Sequence, residues 1–167
     1  MSADAASPAP RGPLARAAEL LAYAGGAIFV VIAILSVGSI VSRALFSKPL
    51  QGDYELVQYA GAVFVSLCLP LTQLRRANII VDFFSVKAKP STRAWLDALG
   101  TLLLALVMAI LAWRLVAGTI SMREAGETTT ILGWPLWHAY AAMVPGVLLT
   151  SLLGFQGVLA DVREALR

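Results

Sequence analysis

Residues 20–41, LLAYAGGAIFVVIAILSVGSIV, carry no charged side chain. At about 1.5 Å per residue, a helix of about twenty residues matches a hydrocarbon core of roughly 30 Å, so Leu20–Val41 predicts a helix that crosses a bilayer. Three further apolar runs follow at Leu56–Leu74, Ala94–Ala117 and Leu136–Ala160, separated by short charged stretches. The expected fold is therefore an all-α membrane protein with four transmembrane helices. Residues 1–18 are read as a flexible cytoplasmic tail and residues 19–167 as the transmembrane domain.

Little chain remains outside these spans, which excludes a soluble catalytic domain, a nucleotide fold or a receptor module. The 167 residues are 59% hydrophobic and 14% charged, a composition that could not cover the surface of a soluble domain with polar groups. The pI of about 9.4 follows from topology rather than from nucleic-acid binding, and no nucleic-acid partner is expected. Arg11, Arg16, Arg75, Arg76, Lys87, Lys89, Arg93, Arg163 and Arg167 fall on one side of the spans, while only Arg43, Lys48 and Arg123 fall on the other. That bias places both termini and the middle loop in the cytoplasm. The first span exceeds a signal-peptide core and has no A-x-A-like site after it, so it reads as retained.

Chemistry-bearing residues are sparse. The chain has one histidine, His138, and one cysteine, Cys68, in different spans, which leaves no metal or haem ligand set, and no cofactor is expected. Cys68 reads as a packing residue, and His138 as an interfacial group beside Trp134, Trp137 and Tyr140. No phosphate-binding glycine loop, G-x-S-x-G or H-E-x-x-H occurs, so an enzyme is not expected. Asp97 and Arg114 are the ionisable exceptions inside the spans. Both are placed near the ends of the third span, reaching the interface alongside Trp95 and Trp113.

Packing and loop features carry more information. Ala142, Gly146, Thr150 and Gly154 recur every fourth residue, a small-residue stripe on which another helix can approach closely. Pro70 and Pro145 each remove a backbone donor and are expected to kink their helices. Between the second and third spans, Ile79, Ile80, Phe83, Phe84 and Val86 would share one helical face opposite Asp82. This suggests a short interfacial helix, with Lys87, Lys89 and Arg93 against lipid headgroups. In the first hairpin, Asp53 could cap the second helix and Arg43 could pair with Glu55.

Taken in order, these elements resemble the small membrane subunit, the DctQ-like protein, of tripartite ATP-independent periplasmic (TRAP) transporters. Arg43, Phe46, Pro49 and Glu55 match the family's first hairpin. Arg75, Arg76, Ile79, Val81 and Asp82 match the element closing the second span, although Asn78 stands where histidine is usual. Thr130, Pro135, Trp137, Tyr140, Pro145 and Gly146 match the turn into the fourth span, and Gly154 continues the small-residue stripe beyond it. The resemblance implies a scaffold subunit partnered by a large permease and a periplasmic substrate-binding protein, importing an organic acid with a sodium gradient. The alternatives are a haem- or quinone-associated anchor of a respiratory complex, disfavoured by the single histidine, and the small subunit of a tripartite tricarboxylate transporter.

Overall fold

The computed structural model describes residues 12–47, 50–75 and 90–165, with 90–94 and 164–165 described as backbone only. Within these residues lie four helices: α1 (Pro13–Phe46), α2 (Asp53–Leu74), α3 (Pro90–Ala125) and α4 (Trp137–Ala165). All four contain a stretch long and apolar enough to cross a membrane. Pro49, Asn78, Asp82 and the expected interfacial helix lie outside the described residues.

Local chemistry sets the helix ends. Pro13 occupies the start of α1, where its missing N–H costs nothing, and Arg16 N–H closes the first turn on the Gly12 carbonyl at 3.2 Å. The end of α1 is made by Ser47, left-handed at φ 52°, whose N–H reaches the Arg43 carbonyl at 3.0 Å. Gly52 at φ 78° precedes α2, and Gly126 at φ 64° follows α3. The link from α3 to α4 is a tight turn. Thr129 N–H donates to the Trp134 carbonyl at 2.8 Å, and Leu136 N–H donates to the Glu127 carbonyl at 3.0 Å.

The helices outrun the apolar runs that announce them, α1 and α3 the most. α1 begins at Pro13, inside the stretch expected to be tail, where Ala18 is buried in a cluster with Leu149 and Leu153, and Leu14, Ala17 and Leu74 pack against that cluster. α3 spans 36 residues rather than the expected Ala94–Ala117. α2 and α4 continue through Pro70 and Pro145, the first fully buried and the second exposed.

The helices form a row in the order α1, α2, α4, α3, not a closed bundle. α2 and α4 occupy the middle, α1 touches α4 only slightly, and among the described residues α3 meets neither α1 nor α2. Both hairpin turns lie at one end of the row, here the hairpin end, and the start of α1 and the end of α4 at the other. Each seam is built around a glycine. A Cβ on Gly25 would sit 3.2 Å from Leu67 Cβ across the α1–α2 seam, beside the Phe29–Phe64 ring pair at 4.8 Å. At the α2–α4 seam, Gly146 lies directly on the Ser66 backbone. At the α3–α4 seam, a Cβ on Gly154 would come within 2.9 Å of Ala105 Cβ.

Candidate functional site

The hairpin end carries the densest polar network, anchored on the first turn of α2. Ser39, only 1% exposed on α1, donates its hydroxyl to the Asp53 carboxylate. Arg43 approaches the same carboxylate at 3.7 Å. Asp53 is not the cap of α2, because that position is Gly52; its other oxygen instead accepts Tyr54 N–H at 2.8 Å. Asp53 therefore ties the end of α1 to the start of α2.

Glu55 has a different partner from the one the hairpin suggested. Its two oxygens accept Ile131 N–H at 2.9 Å and Leu132 N–H at 3.0 Å, so one carboxylate satisfies two backbone donors of the α3–α4 turn. One helical turn further along α2, Tyr59 donates its hydroxyl to the Pro135 carbonyl at 3.1 Å and meets the Trp134 ring edge-on at 6.4 Å. Leu132 closes over Gly52, which is buried; any Cβ there would collide with the Leu132 side chain. These contacts clasp the first hairpin to the second. Ile131 and Trp134 stay more than half exposed on the rim of the clasp, as does Tyr54.

The remaining residues singled out by sequence divide by seam. Trp137 opens α4, stacks near His138 and lies under the Arg123 guanidinium at 5.5 Å. Tyr140 packs its ring against Gly118, 3.2 Å from where a Cβ would be. The small-residue stripe serves two partners within the chain: Ala142 and Gly146 face α2, whereas Gly154 faces α3. Arg75 is exposed just beyond α2, where its own N–H closes the helix on the Leu71 carbonyl.

Asp161 corrects the reading of the spans. It lies one residue past the expected end of the fourth span, yet it is only 3% exposed and accepts the Thr101 hydroxyl at 3.2 Å. Its signal was available, since Gly154, Gly157 and Asp161 fall on one helical face and the two glycines meet Ala105 and Thr101. Ser151, whose hydroxyl donates to the Ala105 carbonyl at 3.1 Å, belongs to the same α3–α4 seam. Among the described residues no group of His, Cys, Asp and Glu could hold a metal ion.

The positioned carboxylates Asp53, Glu55 and Asp161 accept from backbone and hydroxyl groups of neighbouring helices and turns and tie them together. The family profile described as "Tripartite ATP-independent periplasmic transporters, DctQ component" matches residues 31–164. The chain belongs to the DctQ family. That match covers the clasp and the α2–α4 and α3–α4 seams, while Gly25 and Phe29 of the α1–α2 seam lie before it. No curated protein and no solved structure matches the chain. A DctQ protein is the small component of a TRAP transporter and works with DctM and DctP components. The family is a transporter component rather than an enzyme family, and it does not favour the respiratory anchor or the tricarboxylate-transporter reading.

Proposed function

We propose that this DctQ protein is a fixed membrane scaffold for a larger permease that imports an organic acid with sodium, supplied by a periplasmic binding protein. The family match carries the reading, and the row of helices supports it. A one-layer row leaves broad apolar faces on α1 and α3, suited to holding a larger neighbour in the bilayer, while seams and clasp keep the row rigid. Reconstitution tests this directly. In liposomes under a sodium gradient, uptake is expected only when permease, binding protein and this subunit are present together. Uptake by this chain alone, or full uptake without it, would overturn the scaffold reading.

The proposed orientation puts both termini and residues 76–89 in the cytoplasm and the clasp in the periplasm, on the nine-to-three distribution of basic residues. Single cysteines at Ser7, Lys48, Lys87 and Thr128, in a Cys68→Ala background, are expected to react with an impermeant thiol reagent only at Lys48 and Thr128. Labelling at Lys87 and not at Thr128 would reverse the topology. The clasp rim, with Pro135 and Trp137 behind it, is then the part of this subunit nearest the binding protein.

A further inference from the structure

We propose that Arg114 marks the face buried against the large membrane subunit, and that this partner presents a carboxylate to it near the middle of the bilayer. The proposal rests on the scaffold reading and adds to it a face, a depth and a chemistry. The helix register gives the depth. Ala105 meets Gly154, Thr101 meets Gly157 and Gly118 meets Tyr140, so antiparallel α3 and α4 set Arg114 level with Val144 and Pro145. Gly146 rests on Ser66, which places that level near Phe64 and Val65 on α2. These two residues stand midway between Glu55 and Arg75, about 15 Å from each at the helical rise. A hydrocarbon core of roughly 30 Å has its midplane at that distance. Arg114 is thus far deeper than the interfacial position its place in the apolar run suggested.

Its direction follows from the opposite side of the helix. Ala98, Ala105 and Ala112 form the stripe packed towards α4, and Arg114 lies nine residues, or about two and a half turns, from Ala105. It therefore points away from the row, on the face carrying Leu103, Val107 and Ile110, each more than half exposed. Among the described residues Arg114 is exposed and has no hydrogen bond or ion pair. An arginine stem reaches roughly 7 Å, about half the distance to either headgroup layer.

An always-charged guanidinium at that depth needs an acceptor within the membrane, and a carboxylate matches its forked donors best. A second copy of the chain joined through this face would set Arg114 against Arg114. The complementary group therefore belongs to a different protein.

The test is co-purification of the tagged subunit with its large subunit, comparing the parent, Arg114→Lys and Arg114→Leu, with a photo-crosslinking residue at Ile110 in a parallel set. Recovery of the large subunit should fall at least about tenfold for Arg114→Leu and less for Arg114→Lys. The isolated subunit's melting temperature should not change, since among the described residues Arg114 makes no hydrogen bond or ion pair. The Ile110 crosslink should go to the large subunit. Equal recovery with Arg114→Leu, or crosslinks to lipid alone, would overturn the proposal. If even the parent fails to recover the large subunit, the scaffold reading itself falls.

Discussion

Gly146→Leu is expected to unseat α4 from α2 and to lower the melting temperature of the detergent-purified subunit by on the order of 10 °C. A Cβ at this position would overlap the Ser66 carbonyl and come within 2.6 Å of its carbon. The obstacle is backbone at the centre of the row, so it cannot rotate aside as a side chain would. Overpacking commonly costs about 1–3 kcal/mol, and a clash between two main chains belongs at the upper end or beyond. Displacing this seam also strips cover from Val63, Leu67 and Ala139, which pack beside it. Gly38→Leu is the matched control, because nothing lies within 4 Å of a Cβ there. That change should leave melting unaltered or raise it slightly, through helix propensity. Equal losses at both positions would mean that bulk in any helix is harmful and that the close approach has no special weight.

Glu55→Leu is expected to open the clasp while leaving the helices in place. The substitution removes both acceptors of Ile131 and Leu132 N–H, and no other described contact replaces them. Residues 126–136 should then be cut by protease at least about tenfold faster, because cleavage follows the population of the open turn. Glu55→Gln should fall between, since an amide offers one acceptor oxygen where the carboxylate offers two. Melting of the helical core should move much less than with Gly146→Leu. In the reconstituted transporter, uptake should decline in parallel with turn opening, if the binding protein approaches this end as proposed. Unchanged protease resistance in Glu55→Leu would show that Tyr59 and Leu132 alone hold the turn.

The spans were legible because lipid leaves the chain few options: an uncharged run such as Leu20–Val41 satisfies its backbone there as a helix, and it is long enough to cross. Neighbours and register were not, because a lipid-facing leucine and a seam leucine look alike in sequence. Leu67 is buried and Leu103 is half exposed, with nothing in their local patterns to separate them. The hairpin acids show the same limit. Asp53 and Glu55 are two residues apart and so leave a helix in nearly opposite directions. Only the fold decides which of them turns to Arg43 and which to a turn 76 residues further along. The stripe at Gly146 and Gly154 was visible as spacing, but its division between two seams required the positions of α2 and α3.

The order of helices in the row bears on how the protein is made. The Ser39–Asp53 tie joins residues 14 apart within the first hairpin, whereas Glu55 and Ile131 of the clasp are 76 apart. Contacts close in sequence cost less loop-closure entropy than distant ones, so each hairpin is expected to form before the two join. The α2–α4 seam at Gly146 and the clasp at Glu55 are then the places where the two halves meet.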